Sequence, residues 1–338
     1  MENPVEINLR PLRLGEILDG AVGLYRHNFW LLVGIIALAE IPLLLVQVAL
    51  PLMHPQTAGD SSSLFWWITT AASMVMRWFF VDGLGAAALS YAIARRYLRQ
   101  PASILDAYRR LGSSWFSMAV FLLFFPAILV GVLIWGFVPC AGWISGAGIF
   151  IFLSMAVMPL IPVVIMVEGQ PILKAMLRAW DLTRRRFFWI LGFNMVMAVF
   201  SWTLAVGPSL VAGLLVTALI GTSLGNVQQT TESFYSLISS VSGTLFNMLF
   251  LPIQVGAWTL IYYDLRVRTE AFDLALLVVD EPEQANRLVR LPPLEKWFSG
   301  NDIARLILTS LLVAAFFVLS YVVPMLLFFL LALMTLPK

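Results

Sequence analysis

Three ionisable residues stand inside long apolar runs: Glu40, Arg77 and Asp82. A charge in the core of a bilayer is costly, so such residues pair with one another or mark a path for substrate, ion or proton. At 1.5 Å of helical rise per residue, Glu40 lies about 18 Å inward from Asn28, Asp82 about 20 Å inward from Arg95, and Arg77 about 27 Å. The two acids share a level, with Arg77 one long side chain further out. Two readings are open. In one, Arg77 pairs with one acid and the other stays protonated, as a transporter or proton relay would use them. In the other, Arg77 snorkels to the outer headgroups, and Asp82 with Gly83 and Gly85 marks a close helix crossing. Asn194, Asn247 and Gln254 in later apolar runs read as hydrogen bonds between helices. Gly142 and Gly146 fit GxxxG, a spacing that lets helices approach closely.

The elements that must position these residues follow from composition. The 338 residues are 60% hydrophobic and 12% charged, with mean hydropathy +0.89. Soluble domains carry roughly 45–50% apolar and about 25% charged residues. The chain is therefore expected to be an integral membrane protein; a cytosolic enzyme, a disulfide scaffold and a disordered chain are excluded. Spans of about 20 apolar residues are predicted at 29–53, 64–94, 114–138, 143–167, 187–221, 233–263 and 305–335. Pro208 and Pro324 interrupt two of them, which leaves the crossing of 209–221 and 325–335 open. The first 28 residues contain no signal peptide, so insertion is expected through the spans themselves.

Nineteen of the 21 Lys and Arg residues fall in the N-terminus, 94–113, 168–186 and 264–305, whereas 54–63 and 221–233 contain none. The positive-inside rule then places the N-terminus in the cytoplasm. His27 and His54 come to lie on opposite sides, so no histidine-based metal site or catalytic dyad is expected within one chain. Cys140 has no neighbouring thiol. Gly221–Gly225 matches GxSxG, but between spans rather than between a strand and a helix, which makes it a chance match. No phosphate-binding glycine loop is present. Neither enzymatic activity nor a cofactor is expected.

Three segments align without gaps: 15–34, 101–120 and 173–192. Ala21, Ala107 and Ala179 coincide, and eight residues later come Phe29-Trp30, Trp115-Phe116 and Phe187-Phe188. Each unit predicts an amphipathic helix on the membrane surface, a polar break, and then a two-span hairpin. Arg26, Arg109, Arg110, Lys174, Arg178 and Arg185 are placed to meet anionic headgroups, at about 1 kcal/mol each. The alternative is that these helices only anchor and orient the hairpins.

The segments EILDGAVGLYRHNF, GLGAAALSYAIARRYLRQPASILDAYRR, VEGQPILKAMLRAWDLTRRRFFWILG and TLIYYDLRVRTEAFDLALL, spread over residues 8–277, resemble the bacterial glycerophosphoryl diester phosphodiesterase membrane-domain family. The most specific piece is Tyr262, Tyr263, Asp264, Arg266 and Arg268 with Phe272-Asp273-Leu274. The resemblance implies a six-span helical domain with amphipathic helices between hairpins, in the bacterial cytoplasmic (inner) membrane. Some family members place this domain before a catalytic barrel. Here a charged linker (278–304) and one last span (305–338) follow residue 277, so the enzymatic activity does not carry over.

The expected architecture is thus an all-α polytopic membrane protein: three hairpins, each preceded by an amphipathic interfacial helix, plus a C-terminal span. The expected function is that of a non-enzymatic accessory or scaffolding domain, organising lipid or a membrane-protein partner, with no role for nucleic acid. The alternative is a transporter or lipid-handling protein built on Glu40, Arg77 and Asp82. Ligand, partner, oligomeric state and physiological process stay open at this point.

Overall fold

The computed structural model describes residues 10–53, 64–139, 141–201, 214, 228–279 and 299–317, and among them the chain is helical with no strand. Helix α1 (Leu14–His27) begins where the Arg13 backbone N–H donates to the Glu16 carboxylate at 2.8 Å. It ends at Asn28, whose side-chain amide donates back to the Leu24 carbonyl. The apolar helix α2 (Phe29–Met53) follows at once. Next come α3 (Leu64–Arg77), a π-helical stretch (Trp78–Gly85) and α4 (Ala86–Tyr97), joined end to end. The 33-residue α5 (Ile104–Gly136) is capped by the Ser103 hydroxyl, which accepts from the Asp106 N–H. Helix α6 (Ala141–Ile151), a second π-helical stretch (Phe152–Val157) and α7 (Leu160–Glu168) complete the second hairpin. This arm stops at Gly169, whose φ of +66° is the left-handed conformation glycine supplies at helix ends. Helices α8 (Ile172–Arg185) and α9 (Phe187–Ser201) form the next pair. They are followed by α10 (Gln228–Glu270), α11 (Phe272–Val278) and α12 (Gly300–Phe317).

Among the described residues, five helices are long and apolar enough to cross a membrane: Phe29–Ala49, Trp67–Tyr97, Ile104–Gly136, Ile144–Glu168 and Val241–Glu270. The protein is therefore an all-α, multi-pass membrane protein. These five coincide with predicted spans, and α9 is the first part of a sixth. The expectations for 209–221, Pro208, Pro324 and 325–335, the Gly221–Gly225 motif, His54, Cys140 and most of the linker fall outside the described residues.

The repeat takes a different form from the one expected. In the first and third units the chain leaves helical geometry at matching positions, Asn28 (φ −124°) and Arg186 (φ −127°). The second unit has no break, and α5 runs through Trp115-Phe116 without interruption. There the matching residue is Ser114, preceded by Ser113, whose hydroxyl donates to the Arg110 carbonyl one turn back and stays within the helix. The three coincident alanines, Ala21, Ala107 and Ala179, are all fully buried. Their smallness allows close helix contact, as where Gly256 of α10 lies against Ala21.

The core lies around α4 and α10. The alanine-rich Ala86–Ala94 face is buried between α2, α5, α7 and α10. Helix α10 also packs on α1 and α2. Gly142 and Gly146 sit against the Trp135–Gly136 end of α5, so the GxxxG spacing tightens a hairpin. Gly148 instead meets α12, where its N–H donates to the Ser310 hydroxyl at 2.7 Å.

Candidate functional site

The side chain of Glu40 on α2 is buried, and two groups reach its Oε1: Asn247 Nδ2 of α10 donates at 3.0 Å, and Arg77 Nη2 lies at 3.5 Å. Arg77 thus pairs with an acid instead of turning wholly outward, while a third of its side chain stays accessible. Asn247 makes the interhelical bond its position suggested. Asp82 lies close enough to feel the charges of both Arg77 and Glu40. Its carboxylate makes no hydrogen bond or ion pair among the described residues, and it is exposed.

What Asp82 faces is a cavity of about 300 Å³, bounded by the two π-helical stretches, α4, α5, α7, α9 and α10. The first π stretch contributes Trp78 and Asp82, and the second contributes Ser154 and Met155. π-helical turns are rare and recur at functional sites, because the inserted residue bulges the helix and redirects side chains. Here both line the same space. Most of the wall is apolar, but it also carries the amide of Gln254, which makes no hydrogen bond among the described residues, and Asn194. The Asn194 side chain is already occupied: its oxygen accepts from Trp258 Nε1 at 2.7 Å and its nitrogen donates to the Ile190 carbonyl. The close-crossing reading of the glycines also has a physical basis. A methyl group on Gly83 would stand 2.5 Å from Leu122 of α5, and one on Gly85 would stand 3.5 Å from Ala39 of α2.

A second cluster lies at the ends of α7, α8 and α10, the face rich in arginine. Arg266, fully buried, donates to Glu270 at 2.9 Å and to the Tyr262 hydroxyl at 3.2 Å, and its guanidinium sits 3.9 Å from the centre of the Phe272 ring. Tyr262 donates onward to Glu168 at 2.8 Å, and Arg178 closes the circuit through Glu168 (3.0 Å) and Glu270. Burial alone would lower the pKa of Arg178, but Glu168 and Glu270 outweigh it and hold the guanidinium above its ordinary value. Tyr263 stacks at a tilt on Tyr97, its hydroxyl without a partner among the described residues. Asp264 and Arg268 form a separate device. The Asp264 carboxylate accepts both Arg268 Nε (2.9 Å) and the backbone N–H of Leu12 (2.7 Å), while Arg268 Nη2 donates to the Leu12 carbonyl (2.7 Å). The segment before α1 is thereby clamped onto the end of α10.

This network changes the place of three basic residues expected at the lipid surface. Arg178 is committed to Glu168 and Glu270, Arg185 pairs with Asp181 at 3.1 Å, and Arg110 Nε donates to the Met166 carbonyl at 3.2 Å. The last contact supplies a cation to the C-terminal carbonyls of α7, which favours it electrostatically. Arg26, Arg109 and Lys174 are exposed and make no ion pair among the described residues. Glu168 and Glu270 were not singled out in the sequence. The signal available was the spacing of Glu270 four residues after Arg266, one helical turn on.

Among the described residues, no group of three or more His, Cys, Asp or Glu side chains is placed to hold a metal ion. No protein-family model matches the chain, and no curated protein and no solved structure matches it either.

Proposed function

We propose that this protein is a non-enzymatic membrane protein that handles a lipid or an amphipathic solute, holding it in the cavity beside Asp82. The observation that carries this reading is the Asp82 carboxylate, which makes no hydrogen bond or ion pair among the described residues and faces a cavity of about 300 Å³ from a π-helical stretch. That volume lies at the lower end of ligand pockets, and the mixture of an apolar wall with a few polar groups is what such pockets share. An unmatched polar group in a bilayer costs several kcal/mol, which a ligand supplying the missing partner offsets. In this reading Glu40, Arg77 and Asn247 fix α2, α3 and α10 around the cavity.

The same proposal places the protein in the bacterial cytoplasmic membrane with the N-terminus inside, supported by the clustering of Lys and Arg on one side of the spans. It treats the chain as a relative of the membrane domains of glycerophosphoryl diester phosphodiesterases, supported by the Tyr262–Arg268 motif and without their catalytic activity. A second reading, an accessory domain that organises anionic lipid or a partner protein, draws on the exposed Arg26, Arg109 and Lys174, which make no ion pair among the described residues.

The test is extraction of the protein with its surrounding lipid in polymer nanodiscs, followed by mass spectrometry of everything retained. A single small amphiphile enriched with the wild type and lost with Asp82→Asn is the expected result. Retained lipid indistinguishable from the bulk membrane in both would overturn the cavity reading, and a stoichiometric protein partner would favour the second. Orientation has its own test in Cys140, the one cysteine of the chain: a membrane-impermeant maleimide is expected to label it from outside intact spheroplasts.

A further inference from the structure

We propose that the cavity selects a hydrophobic cation: an alkyl ammonium whose head group docks on Asp82 and whose tail lies against the aromatic and methionine wall. The inference rests on the reading of the cavity as a ligand site and deepens it by naming the ligand's chemistry. The first argument is a count of charges. Glu40 and Asp82 set two carboxyl groups near a single arginine, and that arginine is engaged by Glu40 at 3.5 Å. The Asp82 carboxyl is left as an acceptor on the cavity, and among the described residues no Lys, Arg or His is part of the wall. An anionic head group would set a further acid beside Asp82, and a neutral one would bring no cation to meet it.

The second argument is the composition of the wall. The indoles of Trp78 and Trp258 line the cavity together with Met155 and Met197. Trp78 Nε1 lies 3.4 Å from the Leu122 carbonyl and Trp258 Nε1 donates to Asn194. Both indole N–H groups therefore have acceptors, and the ring faces are what remains to meet a ligand. Aromatic faces attract ammonium groups, most strongly where water is excluded. Methionine thioethers are polarizable and adapt to apolar tails of different shape. The Gln254 amide oxygen offers a further acceptor for an N–H donor. A bare inorganic cation fits this wall poorly, because hard ions take six or more oxygen ligands and the surface here is predominantly carbon and sulfur.

The test uses three probes with one tail, octylammonium, octanol and octanoate, titrated into the full-length protein in nanodiscs. Intrinsic tryptophan fluorescence is the readout, its cavity component assigned by loss of the change in Trp78→Phe and Trp258→Phe among the twelve tryptophans of the chain, and empty nanodiscs correct for partitioning. Octylammonium is expected to bind saturably and about tenfold or more tighter than the other two, since a hydrogen bond between charged groups is about twice as strong as a neutral one. Asp82→Asn is expected to erase that preference. Equal binding of octanol or octanoate to the wild type, a measurement that needs no variant, overturns the cation assignment while leaving the cavity a ligand site. So does a preference that survives in Asp82→Asn. Saturable binding of none of the three overturns both the assignment and the ligand-site reading.

Discussion

The two clusters of charge in this molecule differ in how their charges balance. At the arginine-rich face, Arg178 and Arg266 meet Glu168 and Glu270, and Arg268 meets Asp264, so each of these three buried or half-buried cations has an acid. At mid-membrane, two acids share one arginine, and Asp82 is the one left over. Burial runs the same way. Arg266 and Glu270 are almost completely enclosed, whereas Asp82 opens onto a cavity. Ions that are paired across helices fix those helices in place, whereas an acid left without a hydrogen-bond partner at membrane depth is by default a candidate for function. The contrast also sorts the long helix α10, which serves both: Asn247, Gln254 and Trp258 belong to the mid-membrane side, and Tyr262, Arg266 and Glu270 to the other.

The largest effect should come from breaking the balanced cluster. Arg266→Met leaves two buried carboxylates to share Arg178, and removing one partner of a buried ion pair typically costs about 3–5 kcal/mol. The expected outcome is a marked drop in the midpoint of thermal unfolding in detergent. Replacing both partners, Arg266→Met with Glu270→Met, should recover part of the loss, because an apolar pair of similar volume is often tolerated. If the single variant unfolds like the wild type, the cluster is not what holds α7, α8 and α10 together.

A smaller loss is expected from Gly83→Val. The added side chain meets Leu122 at a crossing where even a methyl group stands at 2.5 Å, and overpacking of this kind costs about 1–3 kcal/mol. Leu122→Ala in the same chain should restore the midpoint. Failure of that rescue would mean that Gly83 is required for its backbone at the π-helical stretch rather than for the space beside it.

Apolar length made the spans readable, since every described crossing is a long run that no soluble fold accounts for. Pairings inside the bilayer were readable in part. Glu40, Arg77 and Asn247 stand out as polar residues among apolar ones, and depth along a helix sets Glu40 level with Asp82 and Arg77 one long side chain further out. The π-helical stretches were not readable, because an inserted residue leaves no mark in a run apolar on all sides. The arginine-rich face misled for a different reason. Basic residues beside spans usually meet headgroups, and nothing in the local sequence shows that Arg178 faces Glu270, 92 positions away, rather than lipid. The middle repeat unit shows how small the difference can be, with Ser114 standing where Asn28 and Arg186 break the helix in the other two units.

Below these global effects lies a local one. Arg268→Ala removes the hydrogen bond to the Leu12 carbonyl while Asp264 keeps the Leu12 N–H. Such charged hydrogen bonds contribute about 1.5–3 kcal/mol, and this one is spent on the segment ahead of α1. Faster amide exchange is expected through residues 10–20, with the midpoint of global unfolding little changed. A fall in that midpoint as large as that of Arg266→Met would show that the clamp belongs to the core.

Acid should loosen the same segment further. The backbone N–H of Arg13 and the nearby Arg10 hold the Glu16 carboxyl below its ordinary pKa of 4.5. A depressed folded-state value means that the contact stabilises above the unfolded value and is lost as the pH falls through the folded one. Amide exchange at Arg13, corrected for its intrinsic pH dependence, should therefore be protected at neutral pH and lose protection below about pH 4.5. Glu16→Gln should flatten that dependence.

The smallest change in stability is expected where the charge is least matched. Asp82→Asn removes a carboxylate that makes no ion pair among the described residues and keeps the side chain's shape. Substitutions that break no buried interaction usually fall within about 0.5 kcal/mol of the wild type, and deleting an unmatched negative charge at this depth tends towards stabilisation. Thermal unfolding in detergent of Asp82→Asn beside Arg266→Met measures both clusters on one scale. An Asp82→Asn midpoint at or above that of the wild type sets Asp82 apart from the structural ion pairs. A drop approaching that of Arg266→Met would make Asp82 a structural residue held by contacts to Arg77, and the distinction between a balanced frame and an unbalanced site would fail at its central residue.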